Sequence, residues 1–251
     1  MRIMVPSDCK PASMEPPKPR ARILRGGFLV ANRSGSRVTA LIGLIIAFGW
    51  PLIFLALPGL SSHQIASAHD DAVTIVAQWS VVVALCLIAF GLQRWRPSDL
   101  GIRRLGWRDI LASLGGVVVA SILSGVASRL VHMPSSLSDI SKVAAVPVAL
   151  RLALVLTAAI CEEFSCRGFG IEEMAHLIGN RWMAGLLSLI FFTLAHAGLY
   201  GMSAALVIPG SIGAVLTVLY LWRRNLLACM LMHAIIDGFF LVLIPGVAHT
   251  R

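Results

Sequence analysis

The sequence predicts an all-α polytopic membrane protein: a bundle of about seven transmembrane helices with its N-terminus in the cytoplasm. Three observations predict it. Of 251 residues, 57% are apolar and 13% charged, whereas a soluble domain carries about a quarter charged residues. The apolar residues gather into seven runs, each near the length that crosses about 30 Å of hydrocarbon. Most of the basic residues lie in alternate connections between those runs, the pattern that sets orientation in a bilayer.

Residues 1–37 are rich in Pro and Arg, with eight Lys or Arg against Asp8 and Glu15. So little apolar surface cannot offset the entropy of ordering, and a disordered basic arm is expected. Such an arm suits anionic lipid heads. The apolar run after it is longer than a signal-peptide core and lacks a small-x-small cleavage site, so no cleaved signal is expected. Met14 is an alternative start.

The expected spans are about Val38–Leu57, Ala72–Leu92, Ile110–Val131, Val146–Ile178, Trp182–Leu199, Ser203–Trp222 and Leu226–Val247, forming one transmembrane domain over 38–251. Pro51 is expected to kink the first. The N-terminal arm, the 93–108 loop, the turn at Arg181 and the turn at Arg223-Arg224 are basic. The connections 58–71 and 132–145 hold only Asp70, Asp71, Asp139 and Lys142, and 200–202 holds no charge. Counting positive charges inside places the C-terminus outside. A net charge of +9 would otherwise point to nucleic acid. Topology accounts for it, so the expected partner is the lipid bilayer and not a nucleic acid. The five cysteines form no CxxC pair and no ligand spacing, and read as small core hydrophobes. Trp50, Trp182 and Trp222 read as interface anchors.

The fourth run is long, 33 residues, and holds the chemistry. Glu162, Glu163 and Arg167 lie inside it, and a charge at bilayer depth costs at least about 2.5 kcal/mol. Glu163 and Arg167 are i,i+4 and can pair on one helical face. Glu162 is rotated by about 100° and is left free, which suits a general base. Gly179-Asn180 ends the run, and the fifth span turns back as a helical hairpin. Glu162 lies 17 residues before Gly179 and His196 lies 17 after it. At 1.5 Å per residue both sit about 25 Å from the turn, at similar depth. His233 and Asp237 are an i,i+4 pair in the last span. Glu172, Glu173, His176 and His249 are expected to be solvated or interfacial.

Each feature has a plainer reading. Glu163–Arg167 can be a structural ion pair, His196 a satisfied buried histidine, and His233–Asp237 a helix-stabilising pair or a proton relay. Together, carboxylates and imidazoles offer two chemistries. One is activation of water, with polar groups stabilising an oxyanion. The other is a zinc site, although no HExxH pair is present.

Glu162-Glu163-x-x-x-Arg167, Phe192-x-x-x-His196 and His233-x-x-x-Asp237 resemble, in order, the EExxxR, FxxxH and HxxxN/D motifs of the CPBP family: type II CAAX prenyl endopeptidases and the related bacteriocin-processing and immunity proteins. The resemblance covers about 94–245, with a protease-like core at about 146–245 and a similar segment at Asp99–Arg104 ahead of it. It implies an intramembrane endopeptidase in a cell membrane (a bacterial inner membrane) that cuts a peptide or protein substrate, one form of which has a lipid-modified C-terminus. It implies that Glu162 and His196 activate water, that Glu163 and Arg167 organise their helix, and that His233 and Asp237 stabilise the oxyanion. Asp237 stands where many relatives carry Asn, and an ionised carboxylate only accepts hydrogen bonds. It is therefore protonated, orients His233, or ligates a metal. The expected mechanism needs no cofactor, with zinc as the alternative. The competing functions are a non-catalytic immunity-type protein that works by binding and a proton-coupled transporter. The transporter would favour internal repeats, and none is visible.

Overall fold

The computed structural model describes residues 22–24, 28–30, 37–56, 68–131, 146–200 and 202–243. Seven helical rods occupy the seven apolar runs. They are α1 (Arg37–Ala56), α2 (Ala68–Cys86), α3 (Trp107–Leu130), α4 (Val148–Glu163) with α5 (Glu172–Ile178), α6 (Arg181–Tyr200), α7 (Met202–Arg223) and α8 (Leu226–Gly238). Three stretches are π-helical: Leu87–Leu92 prolongs α2, Phe164–Ile171 joins α4 to α5, and Phe239–Leu243 prolongs α8. Helices satisfy every backbone group within the segment, which a bilayer demands. Asp71–Leu92, Trp107–Leu130, Met202–Arg223 and Leu226–Leu243 are long and apolar enough to cross a membrane, while Arg37–Gly49 and Arg181–Ala197 are shorter apolar helices. Large apolar side chains such as Val76, Leu87, Leu111, Ile122, Leu156 and Leu206 stand exposed around the bundle. A soluble monomer rarely exposes so much, and hydrocarbon covers it at no cost. The molecule is an all-α membrane helix bundle.

Within the 1–37 arm, β1 (Arg22–Leu24) pairs antiparallel with β2 (Phe28–Val30). The register sets Ile23 opposite Leu29 and Leu24 opposite Phe28. Met14, Cys9, His249, most of the arm, most of the 58–71 connection and all of the 132–145 connection lie outside the described residues.

The caps follow from local sequence. Gly179 takes φ +80°, a conformation that stops α5 without a Cβ clash. Asn180 then accepts from the backbone N–H groups of Trp182 and Met183 at 3.0 and 3.2 Å and starts α6. Asn225 starts α8 in the same way, accepting from Leu227 N–H at 3.1 Å.

α6 packs along α7, α2 against α4, and α3 against both α7 and α8. α3 docks through small residues: Ser113 Oγ donates to the Ala228 carbonyl at 2.8 Å, and a Cβ on Gly116 would meet Met232 Sδ at 2.6 Å. Close backbone approach of this kind holds helices together where no hydrophobic effect separates lipid from core. α1 crosses the π-helical segment at Gly170, where a Cβ would lie 2.5 Å from Phe48 Cζ.

The basic connections meet at one end of the bundle. Leu226 N–H donates to the Gly101 carbonyl at 2.8 Å, and Asn225 Nδ2 donates to the Arg104 carbonyl at 3.2 Å. Glu172 and Glu173, expected to be solvated or interfacial, are 2% and 1% exposed there. Arg181 Nη2 donates to Glu172 Oε2 at 2.5 Å, Tyr220 Oη donates to Glu172 Oε1 at 2.9 Å, and Arg224 lies 3.3 Å from the same carboxylate. Gln93 Nε2 donates to Glu173 Oε1 at 3.2 Å. The acids are buried because three separate connections fold over them and bring their own donors. Glu172→Leu is expected to lower stability by about 1–3 kcal/mol by leaving the buried Tyr220 hydroxyl and two partly buried cations without their acceptor. Unfolding in a denaturing detergent titration measures it.

Candidate active site

The acid pair sits where α4 becomes π-helical, and the two carboxylates leave the helix toward different neighbours. Glu163 and Arg167 are both fully buried, and Arg167 Nη1 donates to Glu163 Oε1 at 2.7 Å. The same oxygen lies 2.8 Å from His233 Nδ1 on α8. Arg167 Nη2 donates to the Gly213 carbonyl of α7 at 3.2 Å, and its guanidinium lies 4.3 Å over the Phe192 ring of α6. His233 Nε2 in turn lies 3.3 Å from Asp237 Oδ2. Glu163, Arg167, His233 and Asp237 thus form one connected chain across α4, α7 and α8. Both His233 nitrogens meet carboxylate oxygens, so a ring protonated at both satisfies both.

Glu162 faces the other way. It and His196 are 24% and 18% exposed, and Glu162 Oε2 lies 3.8 Å from His196 Nε2. That is too long for a direct hydrogen bond. Glu162 Oε2 is itself buried without a hydrogen-bond partner. His196 Nδ1 lies 2.8 Å from the Phe192 carbonyl. A carbonyl only accepts, so Nδ1 carries a hydrogen, and Nε2 is turned toward Glu162. The two face a cavity of about 150 Å³ walled by α1, α2, α4 and α6, including Phe48, Gln78, Val81, Ser165 and Phe191.

The six residues singled out in the sequence therefore fall into two groups. Glu162 and His196 share the cavity. Glu163, Arg167, His233 and Asp237 lie behind it, and the cavity wall includes neither His233 nor Asp237. Phe192 stands between the groups, 4.5 Å from the His196 ring and 6.5 Å, edge-on, from the His233 ring. Phe192 fits because α7 offers Gly213: a Cβ there would lie 2.8 Å from Phe192 Cδ1. Gly213→Val is expected to cost about 1–3 kcal/mol by overpacking, and to lower turnover by shifting His196, whose Nδ1 hangs on the Phe192 carbonyl. A thermal midpoint and a rate measured on one preparation check it.

Among the described residues, no three His, Cys, Asp or Glu side chains gather as metal ligands. Each His233 nitrogen already faces a carboxylate, and His196 has one nitrogen toward Glu162. Among the described residues, the donor set as placed does not fit zinc. The sequence reading missed the Gly213 carbonyl, the stacking of Phe192 on Arg167, Gln78, and the π-helical segment. That last feature is frequent at functional sites, and no residue pattern announces it.

Residues 144–239 match the family model for type II CAAX prenyl endopeptidase, Rce1-like. This segment belongs to the CPBP family. No curated protein and no solved structure matches the chain. The CPBP segment runs from α4 to α8 and contains all six motif residues, while α1, α2, α3 and the Asp99–Arg104 loop lie outside it. It is narrower than the 94–245 expected from the motifs. The CPBP match makes this a membrane-embedded protein of an endopeptidase family, with a peptide as the class of substrate.

Proposed function

We propose that the protein is an intramembrane endopeptidase in which water held between Glu162 and His196 attacks the scissile peptide carbonyl. The observation that carries this reading is the buried, unpartnered Glu162 Oε2, 3.8 Å from His196 Nε2 on the wall of a cavity. With a neutral His196 ring, the two are acceptors facing each other and need a donor between them. A water donating one hydrogen to each, at about 2.8 Å, spans that gap and turns its lone pairs to the cavity.

In the proposed reaction the water oxygen bonds to the carbonyl carbon while Glu162 takes a water proton. His196 orients the water and shares its charge. As the C–N bond breaks, the proton passes from Glu162 to the leaving amine. One water is consumed, and an acid and an amine are released. Such general base catalysis contributes about 10²–10⁴-fold. In this reading Glu163, Arg167, His233 and Asp237 are positioning residues: they fix the end of α4 and hence the direction of Glu162.

The test is cleavage of a quenched peptide library by the purified full chain in detergent, with and without a chelator, beside His196→Ala. The expected result is cleavage that the chelator leaves intact and His196→Ala lowers by at least a hundredfold. Cleavage lost with chelator and restored by zinc would overturn the metal-free mechanism. A folded protein that cuts nothing in the library would favour a binding role of the immunity type.

A further inference from the structure

The cavity wall holds a second buried oxygen for which the reaction above has no use. Gln78 Oε1, on α2, has no hydrogen-bond partner and lines the same cavity as Glu162 and His196. A buried acceptor without a donor is costly, so it is kept where something supplies the donor. We infer that Gln78 is a substrate-binding residue whose carboxamide oxygen accepts a backbone N–H of the peptide lying in the cavity. This inference rests on the peptidase reading and names how that site holds its substrate.

The placement of α2 supports it. Thr74, Gln78 and Val81 follow one another at i, i+4 and i+7 and all line the cavity. The rotation of α2 is set from neighbouring positions. Trp79 Nε1 donates to Thr157 Oγ1 of α4 at 3.2 Å, and Val82 and Leu85 are buried in the core. Gln78 is thus held toward the cavity. A glutamine kept to bind helices together would have its oxygen on another helix, and this oxygen has no such partner.

The chemistry of the ligand follows from the lining. The remaining wall is mostly apolar, with Ala47, Phe48, Val81, Phe191 and Ala195, and about 150 Å³ matches a benzene-sized guest. It seats one side chain. The backbone beside that side chain brings the N–H that Gln78 takes, and its carbonyl faces Glu162 and His196. α2 lies outside residues 144–239, so this contact belongs to the part of the chain beyond the CPBP segment.

The experiment uses a peptide cleaved by the full-length protein. Its backbone nitrogens are methylated one at a time, and KM and kcat are measured for wild type and for Gln78→Leu, which keeps the bulk of the side chain. The expected result is that Gln78→Leu raises KM about tenfold and leaves kcat within about threefold, the effect of one lost neutral hydrogen bond. One N-methyl peptide should cost wild type the same factor and cost Gln78→Leu nothing further, because the two changes remove one interaction. Equal KM values for wild type and Gln78→Leu, or equal sensitivity to every methylation, would overturn the inference. So would a Gln78→Leu protein that fails to fold, since that makes Gln78 a structural residue. If wild type cleaves no peptide, the peptidase reading itself fails and this inference falls with it.

Discussion

Glu162→Gln lowers kcat about a thousandfold and leaves KM and the thermal midpoint close to wild type. Glutamine preserves shape and removes the one carboxylate that faces the cavity with an unpartnered oxygen. It can still hold a water and cannot take its proton. A thousandfold is about 4 kcal/mol of transition-state stabilisation, within the range of a positioned general base. The midpoint is expected to stay because Glu162 makes no hydrogen bond through that oxygen. Glu163→Gln, one residue on, behaves differently. Its Oε1 meets both Arg167 and His233, so removing the charge lowers stability along with rate. Steady-state kinetics and melting on the same preparations separate the two. A Glu162→Gln protein that keeps its kcat within threefold of wild type would remove Glu162 as the base.

Arg167→Met destabilises the bundle by about 3–5 kcal/mol, the cost of stranding a buried charge. Arg167 and Glu163 are fully buried. The substitution also withdraws the donor from the Gly213 carbonyl and the cation from beneath the Phe192 ring. Arg167→Met combined with Glu163→Gln is expected to recover at least half of the loss, because two neutral groups need no mutual compensation. Unfolding of the two single variants and the double variant measures the coupling. If the double variant loses the sum of the single losses, the pair is not the unit that holds α4 to α7 and α8.

By itself, the sequence determined the seven rods, the turn at Gly179-Asn180, the Glu163–Arg167 contact and the common depth of Glu162 and His196. All of these are local or follow from length. A bilayer admits only segments that satisfy their own backbone, and a helix of known rise converts residue counts into depth. The tertiary structure alone decided which face of each rod is inside. Lipid and core are equally apolar, so the pattern of α3 cannot distinguish its Ser113–Gly116 seam from its exposed Leu111 and Ile122. For the same reason Gln78 on α2 could not be read as a wall of the site. The burial of Glu172 and Glu173 was equally out of reach, because their partners Arg181, Tyr220, Arg224 and Gln93 are far apart in the chain. Only the assembled bundle separates Glu162 and His196 in the cavity from Glu163, Arg167, His233 and Asp237 behind it. That division depends on how α4 is rotated between α6 and α8, and helix rotation in a membrane is set by packing.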